Sequence, residues 1–186
     1  MKKTYGQILI FVLVVAAAVI CHNREVSGSG GVPVDTAHFP DEVIREYVTE
    51  NCDRDKDGFL SKKEIKAVEI IDISGLSGEE IVTISLEGLQ YLNQARELAI
   101  SWYNFNPEDL IAYTSPSIYI LYFAQNDVEY LNLSGYPNLL ELKCSSNYKL
   151  RHIDISPNKK LRNLNIVKCE KLASVNLSKN KNLRTI

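Results

Sequence analysis

The stretch from residue 140 to residue 183 reads LELKCSSNYKL, RHIDISPNKKL, RNLNIVKCEKL and ASVNLSKNKNL, four consecutive units of equal length. Each unit holds an apolar–x–apolar triplet followed by turn-forming residues. Three apolar columns therefore recur: Leu142, Ile153, Leu164, Val175 and Ile186; Cys144, Ile155, Ile166 and Leu177; Leu150, Leu161, Leu172 and Leu183. A period of about 11 also fits a right-handed helical supercoil, but this composition is typical of short strands joined by turns.

The units alternate between two classes, so the true repeat is a pair of units, about 22 residues long. One class has an apolar–x–apolar triplet with Asn or Cys three positions after it: residues 121–123 with Asn126, 142–144 with Asn147, and 164–166 with Cys169. The other class has Asn or Asp between two apolar residues and ends on Ser: residues 131–134, 153–156 and 175–178. The first class matches the leucine-rich-repeat pattern, and we expect the two classes to form the two sides of a solenoid coil.

Earlier coils are less regular. The triplet 98–100 lies about one repeat before 121–123, but Tyr103 stands where Asn is expected. Residues 71–74 read IDIS and fit the second class. These observations predict about four or five coils, with residues 102–117 the least regular.

A second motif lies at residues 53–64, which read DRDKDGFLSKKE. Aspartates stand at positions one, three and five, Gly58 at six and Glu64 at twelve, as in the EF-hand calcium loop. The predicted metal ligands are Asp53, Asp55, Asp57, the carbonyl of Phe59, Ser61 and Glu64. The alternative is an acidic turn followed by a capping box, because Ser61 and Glu64 are also an S-x-x-E helix start. We expect one structural calcium ion.

An amphipathic helix is predicted before this loop, with Asp41 as its cap and Val43, Ile44, Tyr47 and Val48 on its apolar face. A helix–loop–helix cap over residues 39–68 therefore precedes repeats over 69–186. We expect that the repeats are truncated, as a fragment of a longer protein, or that their C-terminal end docks to a partner.

The N-terminus predicts secretion. Lys2 and Lys3 precede an uninterrupted apolar run from Ile8 to Ile20, which favours a signal peptide at 1–21. The run is shorter than the roughly 18 residues of a spanning helix. Membrane contact is expected only through an uncleaved anchor or a lipid on Cys21. A flexible linker is predicted at 22–38 because it is rich in Ser and Gly and has no apolar period.

The overall charge, 21 basic against 23 acidic residues, excludes the strongly basic composition typical of nucleic-acid binding. Residues 141–186 nevertheless hold 11 basic and three acidic groups, or 11 − 3 = +8, whereas residues 22–140 hold 8 − 20 = −12. The basic end favours an anionic glycan or wall polymer as partner, or else a solvated rim, because most of these lysines fall in turns.

Catalytic groups are not evident in the sequence. His22, His38 and His152 stand apart from any nucleophile, and no CxxC pair is present. Cys144 and Cys169 occupy inward repeat positions on successive coils and are expected to be buried thiols, the alternative being a disulfide bridge. We expect a binding protein and not an enzyme, the alternative being the N-terminal targeting region of a larger extracellular enzyme.

Residues 39–48 (FPDEVIREYV), 53–65 (DRDKDGFLSKKEI) and 71–75 (IDISG), followed by the repeats, resemble bacterial secreted or surface leucine-rich-repeat proteins with internalin-like repeats. The resemblance implies an α/β solenoid of short parallel strands behind a helical calcium-binding cap. It also implies secretion or surface attachment, and recognition of a protein or glycan on the concave sheet.

Strand alternation places the neighbours of the inward residues on that concave sheet. The predicted partner-binding residues are Ile120, Tyr122, Glu141, Lys143, Asn163 and Asn165. The alternative is an ordinary exposed sheet face with a scattered aromatic residue.

Overall fold

The computed structural model describes residues 30–75 and 80–185, so the predicted signal peptide lies outside the described residues. The helices of the described chain are α1 (Glu42–Asn51), α2 (Lys62–Ala67), α3 (Asp109–Ala112) and a 3-10 turn at Leu89–Tyr91. The strands are β1 (Val32–Pro33), β2 (Phe59–Leu60), β3 (Ile70–Ser74), β4 (Val82–Ile84), β5 (Glu97–Ser101), β6 (Tyr103–Phe105), β7 (Ile120–Ala124), β8 (Tyr130–Asn132), β9 (Glu141–Ser145), β10 (His152–Asp154) and β11 (Asn163–Val167). None of the described helices is long and apolar enough to span a membrane.

A parallel sheet of five strands, in the order β3-β5-β7-β9-β11, runs through the repeats. The strands pair in register, so that Ile120 lies beside Glu141 and Glu141 beside Asn163. Thr185 continues this row as an isolated parallel bridge to Asn163. Paired residues are thus one repeat apart along the chain, which confirms the solenoid and its repeat length.

The core lies behind this sheet and is built from the second and fourth residues of each strand. Alternation along each strand turns these side chains inward. The inward pairs of the middle strands are at most 1% exposed: Leu98 and Ile100, Leu121 and Phe123, and Leu142 and Cys144. Burial of each large apolar side chain contributes about 1.5–3 kcal/mol, so the stacked pairs stabilise the stacking of the coils.

The opposite side of the solenoid carries two short parallel pairs, β4 with β6 and β8 with β10. The predicted second class is therefore found in strands at 130–132 and 152–154. The assignment of residues 71–74 to that class is wrong, because β3 lies in the five-stranded sheet with Ile71 beside Leu98. Both classes contain an apolar triplet, so the triplet alone did not distinguish them.

Each of the later main strands ends in the same sharp turn. Trp102, Gln125, Ser146 and Lys168 have φ between 54° and 67°, and the next residue of each is the position predicted to hold Asn or Cys. Asn147 donates from Nδ2 to the Phe123 carbonyl at 3.0 Å and accepts the Asn126 N–H at 3.0 Å. Asn126 makes the equivalent pair with Ile100 and Tyr103, so each asparagine satisfies backbone groups of the preceding coil.

Helix α1 is joined to the first coil by its N-terminal cap. One oxygen of Asp41 caps α1 by accepting the Val43 N–H at 3.0 Å, and the other accepts the Ser85 N–H at 2.9 Å. Helix α1 buries Ile44 and Val48, as its apolar spacing predicted. Asp41 therefore fixes both the start of the helix and its attachment to the repeats.

The part of the predicted flexible linker that the structure describes is ordered. Val32 and Pro33 form β1, which pairs antiparallel with β2. Gly31 is needed for this approach, because a Cβ there would lie 2.8 Å from the Leu60 carbonyl oxygen. The folded part of the chain therefore starts before Phe39, the residue at which the sequence pattern placed the end of the linker.

Candidate functional site

The acidic loop between α1 and α2 brings three predicted metal ligands together. Carboxylate oxygens of Asp53, Asp55 and Asp57 all lie within 4.8 Å of one another. Positive φ at Lys56 (59°) and Gly58 (85°) turns the chain so that these aspartates converge. Hard oxygen donors at this spacing are the ligand type that Ca²⁺ prefers.

Asp53 is the buried member of the cluster, and backbone N–H groups of the loop hold its side chain. Its side chain is 2% exposed, whereas Asp55 and Asp57 are exposed. The backbone N–H groups of Asp57 and Gly58 donate to its two oxygens at 3.2 and 3.0 Å. The loop backbone therefore orients this side chain.

Glu64, at the twelfth position, forms the capping box of α2. Its Oε2 accepts the Ser61 N–H at 2.9 Å and the Ser61 hydroxyl at 2.8 Å, and the Ser61 Oγ accepts the Glu64 N–H. Its Oε1 accepts the Arg54 N–H at 2.7 Å. Burial opposes ionisation, but these hydrogen bonds outweigh it and hold the pKa of Glu64 below its usual range. The capping box is thus confirmed, and it leaves the calcium prediction open.

The strand that leaves the loop is supported by β1. Leu60, at the eighth position of the motif, is fully buried, and the Val34 N–H donates to the Gly58 carbonyl at 2.9 Å. Phe59, whose carbonyl is a predicted ligand, lies in β2 opposite Pro33. Sequence reasoning missed β1 because it has two residues, one of them proline.

The predicted partner-binding residues all lie on the outward face of β7, β9 and β11, which we call the recognition face. Register places Ile120, Glu141 and Asn163 in one row across the sheet. Tyr122, Lys143 and Asn165 form the next row. The structure therefore brings the six residues together, one pair on each strand.

Four of these side chains form a contact network. Lys143 Nζ lies 2.9 Å from Glu141 Oε1 and 4.6 Å from the centre of the Tyr122 ring. The Tyr122 hydroxyl donates to Glu141 Oε1 at 3.3 Å, and Asn163 Nδ2 donates to Glu141 Oε2 at 3.1 Å. Hydrogen bonds from Lys143 and then Asn163 lower the pKa of Glu141, and the Glu141 carboxylate raises the pKa of Lys143. Both side chains are therefore charged and held in place at neutral pH.

A shallow hollow of about 230 Å³ lies beside this network, lined by Glu141, Lys143, Asn163, Asn165, Thr185 and the leucines 142 and 164. Thr185 was missed by sequence reasoning. It stands one repeat length after Asn163, so the period alone places it at the start of the next rung.

Two stacked turns form a second surface, which we call the basic edge. Its six exposed cations are Lys159, Lys160, Arg162, Lys179, Lys181 and Arg184. The turns are joined by the Arg184 N–H donating to the Arg162 carbonyl at 2.8 Å and by Asn182 Nδ2 donating to the Lys159 carbonyl at 2.7 Å. Within residues 30–75 and 80–185, none of the six cations forms a salt bridge.

The three histidines lie apart from one another in the sequence. His38 bonds Asp35 at 2.7 Å, His152 is exposed on β10, and His22 lies outside the described residues.

The expectation of a buried thiol is confirmed for Cys144 and is wrong for Cys169, which is half-buried. Cys169 belongs to the last described coil, which covers it less completely than the inner coils cover Cys144.

Neither family models nor curated proteins give a match to this chain. Among solved structures, it is similar to an internalin (inlF) from Listeria monocytogenes, with a TM-score of 0.62 and 21% identity over 83% of this chain and 44% of that chain. Internalin C2 of the same organism gives a TM-score of 0.45 and 16% identity over 84% and 86% of the two chains. The functional domain of Listeria monocytogenes InlJ, which includes a cysteine ladder, gives 0.49 and 15% identity over 82% and 36%.

The present chain thus spans less than half the length of the inlF structure. The likeness to inlF agrees with the in-register sheet and the repeat length described above. The chain therefore has the leucine-rich-repeat solenoid fold of an internalin.

Proposed function

We propose that the chain is a secreted or cell-surface binding module that recognises a protein partner through the recognition face. The observation that carries this proposal is the network of Tyr122, Glu141, Lys143 and Asn163 on three in-register strands. A partner would meet side chains that are already ordered, so little conformational entropy is lost on binding. An aromatic residue beside a charged pair is the kind of anchor that dominates many protein interfaces.

The extracellular location rests on the predicted signal peptide at 1–21. Attachment through an uncleaved anchor or a lipid on Cys21 fits the same proposal. Rigid recognition by the sheet requires no chemical step, and the proposal assigns none.

The acidic loop is proposed to hold one structural calcium ion. Asp53, Asp55 and Asp57 supply a carboxylate cluster whose mutual repulsion a divalent cation would relieve. The Phe59 carbonyl, Ser61 and Glu64 complete the proposed ligand set. The β1 strand supports the loop in place of a second EF-hand, which favours a site that stabilises the fold and does not act as a switch.

The binding proposal is tested with the labelled mature chain on a panel of intact bacterial and animal cells. The double variant Tyr122→Ala/Lys143→Ala should bind at least about tenfold more weakly than the wild type, because it removes the aromatic anchor and its cation. Tyr130→Ala is the matched control, since Tyr130 is 40% exposed on β8, outside the recognition face. Protease treatment of the cells should abolish binding. Equal binding by the double variant, or protease-resistant binding, would contradict the proposal.

The basic edge supports a second candidate function, binding of an anionic glycan or wall polymer. Stacking places Lys159 beside the turn that contains Lys181, and Arg162 beside Arg184. No acidic side chain of the described residues forms a salt bridge with these cations, so an anion lying across them would relieve their mutual repulsion. Heparin and polyphosphate are suitable probes at low salt. Lys159→Gln/Lys160→Gln/Arg162→Gln should remove most of the binding.

The matched control for the basic edge changes the same number of charges elsewhere. Lys62, Lys63 and Lys66 are exposed on α2, and their replacement by Gln should leave polymer binding nearly unchanged. Absence of binding to either polymer at low salt would reject this candidate and leave the basic edge as a solvated rim.

A further inference from the structure

Two thiols from different coils meet near the inner side of the main sheet. Cys144 is the fourth residue of β9, and Cys169 occupies the position two residues after β11 where other coils carry Asn. Their Sγ atoms are 3.9 Å apart. This is the contact that Asn126 and Asn147 make with Ile100 and Phe123 in the preceding coils, here with a cysteine at both positions.

Cys169 stands at the asparagine position but makes weaker hydrogen bonds than the asparagines do. In the preceding coils, Asn126 and Asn147 bind both a carbonyl and an N–H group of the neighbouring coil. Cys169 instead makes long contacts of 3.7 Å from its Sγ to the carbonyl oxygens of Cys144 and Val167. At this position the side chain therefore joins the two coils by weaker hydrogen bonds than Asn126 and Asn147 make in the preceding coils.

The two thiols differ in exposure and in acidity. Cys144 is fully buried and accepts a hydrogen bond from Asn147 Nδ2 at 3.1 Å, whereas Cys169 is half-buried. The hydrogen bond with Cys144 lowers the pKa of the Cys169 thiol despite its burial, and the Asn147 amide adds to this effect. The same contact and burial raise the pKa of Cys144. Cys169 is thus the accessible and more nucleophilic member of the pair.

We propose that Cys144 and Cys169 form a thiol–disulfide exchange site, which small-molecule disulfides convert to an internal disulfide. The Sγ atoms must approach from 3.9 Å to about 2.05 Å. Side-chain rotation of the half-buried Cys169 can supply much of this movement. The chemistry depends only on the two residues, whereas its occurrence outside the cell rests on the proposed secretion.

The exchange occurs in two steps that balance. The Cys169 thiolate attacks one sulfur of a disulfide R–S–S–R, whose S–S bond breaks and releases R–S⁻, leaving Cys169 joined to R–S. Cys144 then gives up its proton and attacks Cys169 Sγ, which expels the second R–S⁻. In total, two protein thiols lose two protons and two electrons, and R–S–S–R is reduced to two R–SH. The new bond replaces the weak contact between the two coils.

The test treats the reduced mature chain with glutathione disulfide and follows it by mass spectrometry and peptide mapping. The wild type should lose two hydrogens and yield a linked peptide containing residues 144 and 169, and its thermal midpoint should rise by roughly 5–10 °C. Cys52→Ala is the matched control, because Cys52 is buried elsewhere and its removal should not change the result.

Two variants separate the steps. Cys144→Ala should stop at a mixed disulfide between Cys169 and glutathione, and Cys169→Ser should not react. Peptide mapping of the wild type needs neither variant, so a folding defect in one of them leaves the test intact. The proposal is overturned if the wild type keeps both thiols after equilibration, if glutathione remains on Cys169 without closure, or if Cys52 reacts as fast as Cys169.

Discussion

Replacing Asn147 with alanine should cost the solenoid about 1.5–4.5 kcal/mol of unfolding free energy. Asn147 is fully buried and joins the coils of β7 and β9. Alanine leaves the Asn126 N–H without its acceptor, which costs about 1–3 kcal/mol for a buried group. It also removes the bond to the Phe123 carbonyl, worth about 0.5–1.5 kcal/mol. The sum is a large fraction of the roughly 5–15 kcal/mol by which domains are typically stable.

Urea unfolding followed by circular dichroism measures this loss, and hydrogen exchange shows where it acts. The Asn126 amide should exchange faster in the variant, because its acceptor is gone. Asn176→Ala is the matched control. Asn176 is exposed and accepts the local Ser178 N–H, so its loss should cost less than about 0.5 kcal/mol. A cost below about 1 kcal/mol for Asn147→Ala, or unchanged exchange at Asn126, would refute the coil-to-coil role of these asparagines.

Three further outcomes are expected. Calcium sites outside cells typically have a Kd of roughly 10⁻⁴–10⁻³ M, so calcium at about 10 mM should raise the unfolding free energy of the chain by about 1.4–2.7 kcal/mol. Chelation of calcium, or Asp53→Asn, should remove this gain in a thermal melt. In a urea titration, Gly31→Val should lower the unfolding free energy by about 1–3 kcal/mol, because its Cβ would lie 2.8 Å from the Leu60 carbonyl oxygen. Gly30→Val is the control and should be neutral, because a Cβ there would have no atom within 4 Å. Because the pKa of Glu64 is lowered on folding, its stabilisation is present above the unfolded pKa of about 4.3 and is lost as pH falls through the folded value. Without calcium, the unfolding free energy should therefore fall less steeply between about pH 6 and pH 3 for Glu64→Gln than for the wild type. Equal slopes would contradict the hydrogen-bonding account of Glu64.

The sequence predicts those parts of the fold that depend on local chemistry repeated at a fixed period. Leu121, Leu142 and Leu164 recur at nearly constant spacing because each fills the same inward position of a stacked strand. Asp41 and Ser61 mark helix starts because their side chains satisfy nearby backbone N–H groups. The recognition face follows from the same alternation, although its hydrogen bonds do not.

Features that depend on contacts between distant residues were not predictable in the same way. The β1 strand is defined only by its pairing with Phe59 and Leu60, and so short a segment with proline carries no periodic signal. The first coil, from Ile70 to Glu97, is longer than the later ones, so the regular period does not place residues 71–74 on the correct side. The repeat brings position 169 against Cys144, as it brings Asn147 against Phe123, but the 3.9 Å approach of the two sulfurs depends on side-chain placement that the period does not give.

Site-specific photo-crosslinking tests the proposed recognition face most directly. A photoreactive phenylalanine derivative replaces Tyr122 in one form of the mature chain and Tyr130 in another, and both are illuminated on the same intact cells. The account predicts a discrete protein adduct from position 122 that unlabelled wild type competes away, with little adduct from position 130. Equal adduct yields from the two positions, or adducts at 122 that the wild type does not reduce, would contradict recognition through this face.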